Sequence, residues 1–231
     1  MLMGIVFCIS LVAANLLETK VFTLWGPISL TCGFIVFPIS YILNDVIAEV
    51  WGFRKARLII WMGFAMNFLV AALGGIACAL PATVTGSDEA FKQVFAFMPQ
   101  VVVASLLAFI VGSFLNAWVM SRMKLADRSK GHFNFYFSLR AIASTLVGEG
   151  ADSLIFFPLA FYLFPIMLEG EPKVPFDIMI NLMLTQVVAK TLYEVIVLPI
   201  TIKVVKFVKK YEETDVYDED VSYNAFNIKQ L

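Results

Sequence analysis

His132 is the only histidine in the chain. It stands in a polar stretch between apolar segments and reads as a solvated loop residue, not as a general base. There is no serine nucleophile elbow, no zinc-ligand spacing and no phosphate-binding loop. Hydrolytic catalysis, a metal site and ATP hydrolysis by this chain therefore lack their residues, and neither an enzyme nor a bound cofactor is expected. Cysteine is scarce as well: Cys8, Cys32 and Cys78 all sit in apolar runs without disulfide or zinc spacing, and read as packing residues. Charged residues make up 15% of the chain, against about 25% in ordinary soluble domains. The formal net charge of −1 gives no field that would attract nucleic acid. No cleavable signal-peptide pattern opens the chain.

What is present is apolar. Of 231 residues 60% are hydrophobic, with 22 Phe and 10 Met, and the mean hydropathy is +0.84. A membrane span needs about 20 apolar residues. Six such segments are expected: about Met1 to Leu17, Ile28 to Val50, Leu58 to Leu80, Val101 to Met120, Leu139 to Phe164 and Phe176 to Val208. The first is short, with no polar residues ahead of it, which points to a start further upstream. Backbone groups in lipid must be satisfied internally, and the runs show no period-two alternation. The reading is an all-α polytopic membrane protein with six transmembrane helices.

Lys and Arg set the expected orientation. One set of loops holds Arg54, Lys55 and Arg57, then Arg122, Lys124, Arg128, Lys130 and Arg140, then Lys203, Lys206, Lys209 and Lys210. The opposite loops hold one each: Lys20, Lys92 and Lys173. By the positive-inside rule the basic loops are cytoplasmic, and so are both termini. Residues 1–210 form the transmembrane domain. Residues 211–231, with "YEETDVYDEDVSYNAF", are acidic and aperiodic and are expected to be a disordered cytoplasmic tail.

Charges inside membrane helices cost about 2.5–3.5 kcal/mol each at the centre on insertion scales, yet three segments carry them. The second holds Tyr41, Asn44, Asp45 and Glu49, the fifth Arg140, Ser144, Thr145, Glu149 and Asp152, and the sixth Gln186, Lys190, Tyr193 and Glu194. Tyr41, Asp45 and Glu49 recur every four residues, as do Gln186, Lys190 and Glu194, so each set shares a helix face. The three stripes are expected to line one cavity. Asp45, Glu149, Asp152 and Glu194 face only Lys190, so at least one carboxyl must be protonated, meet a ligand or bind a cation. Lys190 has Asp152, Glu149 and Glu194 as candidate partners. Glu49 reads as interfacial, near Arg54 and Arg57. Phe34, Phe37, Tyr41, Trp51, Phe156, Phe157 and Tyr193 supply aromatic rings on or near the stripes, suited to stacking on a planar ligand. Pro38, Pro158 and Pro199 mark kinks or hinges. Gly148 and Gly150 thin the fifth helix for a flat ligand or a neighbouring helix. The bland alternative is that the acids and Lys190 only lock helices together.

"VFPISYILNDVIAEVWGFRKAR", "RAIASTLVGEGADSLIFF" and "QVVAKTLYEVIVLPIT" resemble the bacterial queuosine precursor transporter family, and "AANLLETKVF" resembles its first segment. The resemblance covers nearly the whole chain except the acidic tail. It implies six spans in the inner membrane and import of 7-cyano-7-deazaguanine, 7-aminomethyl-7-deazaguanine or queuine for tRNA modification. The implied partners are this small molecule, the bilayer and, compatible with the sequence, a second copy of the chain. A 7-deazaguanine offers a ring N–H beside an exocyclic amine, which one ionised carboxylate can accept together. Glu149 or Asp152 are candidates for that grip, with Asp45 and Glu194 as rivals, and Gln186, Asn44 or Lys190 are candidate donors to the carbonyl. The alternative is a substrate-capture subunit of an energy-coupled vitamin-type importer.

Overall fold

Gly52 decides how the N-terminal half folds. In the computed structural model, residues 2–18, 20–25, 28–81, 83, 86–95, 98–126 and 133–218 are described. Helix α1 (Leu2–Leu17) leads to a two-stranded antiparallel hairpin, β1 (Val21–Trp25) and β2 (Ile28–Thr31), and a single 3₁₀ turn (Cys32–Ile35). Helix α2 (Phe37–Ala79) follows, with Pro38 in its first turn, where the missing N–H costs nothing. Within it Gly52 takes φ 81° and ψ 174°, a conformation that only glycine adopts readily. The chain doubles back there. Phe109 places its ring centroid 6.2 Å from Phe37 and 5.4 Å from Phe64, residues that a straight helix would hold about 40 Å apart. The two arms of α2, 37–51 and 53–79, are thus an antiparallel pair.

The remaining helices are α3 (Ser87–Phe95), α4 (Met98–Ala126), α5 (Phe133–Phe157), α6 (Phe164–Glu169) and α7 (Phe176–Glu212). A π-helical stretch (Pro158–Leu163) joins α5 to α6. Pro158 opens it, as expected of a residue that cannot donate to the preceding turn. Pro199 sits inside α7. Among the described residues, three stretches are long and apolar enough to cross a bilayer: Cys32–Ala79, Pro99–Ala126 and Phe135–Leu168. Helix α1 is apolar but shorter. Two expectations need correction. Ile28 to Val36 precede the helix instead of belonging to it, and the hairpin adds strand to an otherwise helical chain.

Helices α4 and α5 cross in near-contact. A Cβ on Gly112 would lie 2.7 Å from the carbonyl oxygen of Gly148, and one on Gly148 would lie 2.8 Å from that of Gly112. Small residues at such crossings let helix backbones approach closely. Gly148 therefore makes room for a helix, whereas a Cβ at Gly150 would meet nothing within 4 Å. Gly148→Val is expected to cost about 1–3 kcal/mol by overpacking, and Gly150→Ala to leave stability unchanged or raised. Thermal unfolding of the purified variants checks this; equal midpoints for Gly148→Val and wild type would refute the close crossing.

The start of the acidic tail is packed, unlike the disordered segment expected from its composition. The Val216 N–H donates to the carbonyl of Val50 at 3.1 Å. The Asp218 carboxylate accepts the Phe53 N–H at 3.1 and 3.0 Å and a bond from Ser121. The carboxylate thus caps the second arm of α2 at the break. A Cβ on Gly52 would meet Asp218 Oδ1 at 2.6 Å, so space as well as φ requires glycine. Residues 219–231 lie outside the described residues, as do Arg128, Lys130 and His132.

Candidate functional site

The three polar stripes meet inside the bundle. Tyr41, Asp45 and Glu49 on α2, Arg140, Ser144, Thr145, Glu149 and Asp152 on α5, and Gln186, Lys190 and Glu194 on α7 are all buried. They form a column of three layers along the bundle. From Glu49 to Tyr41 the column rises about 12 Å.

The first layer surrounds Lys190. Its Nζ lies 3.0 Å from Glu149 Oε2 and 3.8 Å from the centroid of the Phe37 ring. Asp152, one helical turn beyond Glu149, and Glu18, at the end of α1, act on Lys190 electrostatically. Three carboxyls therefore surround one ammonium. Asn15, Glu18, Phe37, Ser105, Asp152, Phe156, Phe157 and Lys190 line a cavity of about 10 Å³, about the least that holds one water. A cavity of this size admits nothing as large as a bicyclic ring unless its walls part. Among the described residues, several polar atoms at or near this layer find no hydrogen-bond partner: Glu18 Oε2, Asn15 Nδ2, Tyr41 Oη, Ser153 Oγ and Gln186 Oε1. Buried polar atoms are costly when unpaired, and a polar ligand would repay that cost.

Asp45 anchors the second layer. Asn116 Nδ2 donates to Asp45 Oδ1 at 2.7 Å, and Ser144 Oγ does so at 3.3 Å. Asn44 Nδ2 donates to the Ser113 carbonyl at 3.3 Å. The carboxyl of Glu194 sits beside Asp45 and Thr145.

The third layer is an ion-pair cluster at the Gly52 end. Glu49 accepts from Arg140 Nη2 at 3.0 Å and from Lys209 Nζ at 2.7 Å. Lys124 Nζ lies 4.0 Å from the Glu49 carboxylate and donates to the Glu49 carbonyl at 2.5 Å and to Asp215 at 2.6 Å. Glu49 is therefore buried and paired with Arg140 and Lys209, where Arg54 and Arg57 were the expected neighbours. Burial pushes Asp215 up, but the hydrogen bonds and charges of Lys124 and Lys209 outweigh it and hold its carboxyl below the usual range. A depressed carboxylate stabilises the fold above its unfolded-state value, about 3.9 for Asp, and loses that contribution as pH falls through the folded value. The tail contact is thus expected to persist to mildly acidic pH and loosen only below about pH 4. Asp218→Ala, which removes a helix cap worth about 0.5–2 kcal/mol, should expose the tail to limited proteolysis at neutral pH. Identical cleavage rates for variant and wild type would count against the docked tail.

Two candidate donors are already engaged. Gln186 Nε2 bonds to Thr31 Oγ1 and so ties α7 to β2, and Asn44 serves the α4 backbone. Tyr193 is half-buried, 6.2 Å edge-on from Phe34, in an outer apolar groove with Leu192 and Ile196; it lies outside the polar column. Pro38 starts a helix and kinks nothing. Sequence reasoning missed Glu18, Asn15, Ser105 and Asn116. Glu18 carried a faint signal in "NLLETK", an acid at the very end of an apolar run.

The family described as "Putative vitamin uptake transporter" matches residues 31–204. "Probable queuosine precursor transporter" of Bacillus subtilis (strain 168) is 32% identical over 151 residues, 65% of this chain and 64% of that protein. "Queuosine precursor transporter" of Escherichia coli (strain K12) is 27% identical over 146 residues, 62% of this chain and 57% of that protein. The matched part of the chain thus spans less than two thirds of the length of either relative. No solved structure matches. The family match takes in the arms of α2, the Gly112–Gly148 crossing and all three layers of the column, save for Asn15, Glu18, Lys209 and the tail. The chain belongs to the "putative vitamin uptake transporter" family of membrane proteins, and its relatives are named as transporters, not as enzymes.

Proposed function

We propose that this protein imports a queuosine precursor across the bacterial inner membrane: 7-cyano-7-deazaguanine, 7-aminomethyl-7-deazaguanine or queuine. The observation that carries this reading is the Lys190 layer. Three carboxyls and an aromatic ring share one buried ammonium, in a family whose relatives bear that transporter name. Glu149 is committed to Lys190, and Asp152 lines the cavity. Asp152 is thus best placed to accept the ring N–H and exocyclic amine together. Lys190 is the donor for the carbonyl, because Gln186 and Asn44 are engaged elsewhere. Phe37, Phe156 and Phe157 form the aromatic wall of the cavity. An aminomethyl substituent, being cationic, would find Glu18.

Six spans with both termini cytoplasmic are part of the proposal. In support, the Gly52 turn, the end of α4 and the end of α7 gather at one end through Lys124, Arg140 and Lys209, as the positive-inside rule requires of a cytoplasmic face. Single cysteines at Lys92 and Lys173, with Cys8, Cys32 and Cys78 replaced, should react with an impermeant reagent added outside, and one at Arg128 should not. Labelling at position 128 in intact cells would overturn the orientation.

Function itself is tested in a strain unable to make queuosine. Cells expressing this protein and fed each precursor should regain modified tRNA. No recovery with any precursor, at normal protein levels, would end the reading. Recovery only with a co-expressed ATPase module would turn it into the capture-subunit alternative.

A further inference from the structure

The second layer holds two acids and no base. Asp45 and Glu194 are 1% and 3% exposed. Lys190 of α7 meets Glu149 of α5; one turn on from each, Glu194 and Ser144–Thr145 share the layer in which Ser144 bonds to Asp45, and the two acids act on each other electrostatically. Two acids held together out of water do not both ionise, so one of them keeps a proton. Among the described residues Glu194 Oε2 finds no hydrogen-bond partner, and Asn116 gives its amide hydrogen to Asp45 while its own Oδ1 finds none.

The surroundings do not supply a counter-charge. From α2, Tyr41 stands one turn from Asp45; from α4 comes the Asn116 amide. From α5 come Ser144, Thr145 and the further acid Glu149. Among the described residues the nearest bases on either side are spoken for: Lys190 by Glu149 and Arg140 by Glu49. A fully ionised pair would place two bare charges in a region that neutralises such groups instead.

We propose that Asp45 and Glu194 form a proton-binding site distinct from the Lys190 layer, and that its loading couples substrate movement to the proton gradient. The coupling half rests on the transport reading above. Glu194 lies one turn from Lys190 on α7, and Thr145 one turn from Glu149 on α5, so the helices that must part to admit a base also carry the proton site. When they part toward the basic end, water reaches the pair and the proton leaves to it. The ionised acids then repel and hold α2 and α7 apart until a proton returns.

The test has two arms. Infrared spectroscopy of the purified protein at neutral pH, without substrate, should show the C=O stretch of a neutral carboxylic acid that shifts in D₂O. The band should lose intensity in Asp45→Asn and in Glu194→Gln. Absence of the band in wild type, or its full survival in the double variant, would overturn the proton site. Wild type in proteoliposomes supplies the second arm. An acid-outside gradient should raise uptake of 7-cyano-7-deazaguanine, with proton entry reported by an internal pH dye. Uptake without proton movement, or uptake that needs sodium instead, would overturn the coupling and leave the transport reading standing. No uptake by wild type would instead remove the transport reading and its coupling, with the infrared arm still deciding whether the pair holds a proton.

Discussion

Asp152→Asn is expected to weaken binding of 7-cyano-7-deazaguanine by about ten- to a hundredfold, the equivalent of losing one charged hydrogen-bond partner worth about 1.5–3 kcal/mol. Asp152 lines the cavity, and the ammonium it shares lies 3.0 Å from Glu149. A carboxylate there can accept two parallel donors from the base. An amide offers one acceptor and turns its NH₂ toward a donor. Adenine presents a different edge and should stabilise the native protein poorly. Ligand-dependent thermal stabilisation of wild type and variant, with the deazaguanine, guanine and adenine, measures this. Equal stabilisation of both proteins would remove Asp152 from the site, and strong stabilisation by adenine would sink edge recognition altogether.

The stripes were legible because helix periodicity is strict. Acids at positions 45 and 49, 149 and 152, and a base at 190, had to share faces, and the structure gathers them in one column. The partners were less legible, because pairing depends on helix rotation and depth, which spacing alone does not fix. Glu49 shows this. Arg54 and Arg57 are its sequence neighbours, but the turn at Gly52 carries the chain away, and Arg140 and Lys209 arrive from distant helices. Glu18 was missed for a related reason: the hairpin that follows it brings Thr31 and Gly33 against its side chain, and the second strand of that hairpin lay inside what composition marked as a span. The tail misled through composition. Acidic, aperiodic sequence predicts solvation, but Asp215 finds Lys124 and Lys209, and Asp218 finds the N-terminus of the second arm of α2, which exists only once α2 has broken and folded back.

Lys190→Met should be the most damaging single change in the column. It leaves Glu149, Asp152 and Glu18 buried with no cation, and breaking a buried pair by removing one partner costs about 3–5 kcal/mol. It also removes the ammonium from the Phe37 ring, 3.8 Å from its centroid, a cation–π contact worth up to about 2 kcal/mol when desolvated. Most of the expected loss is the orphaned charge, so neutralising the partner should recover part of it. Lys190→Met combined with Glu149→Gln is therefore expected to be more stable than Lys190→Met alone. A pairing with Glu194→Gln should give no such rescue, because Glu194 belongs to the Asp45 layer. Binding separates structure from function. If Lys190 donates to the substrate carbonyl, the rescued double variant folds but still fails to be stabilised by the deazaguanine. Restored binding in that variant would reduce Lys190 to a structural counter-ion, and rescue by Glu194→Gln instead of Glu149→Gln would contradict the pairing itself.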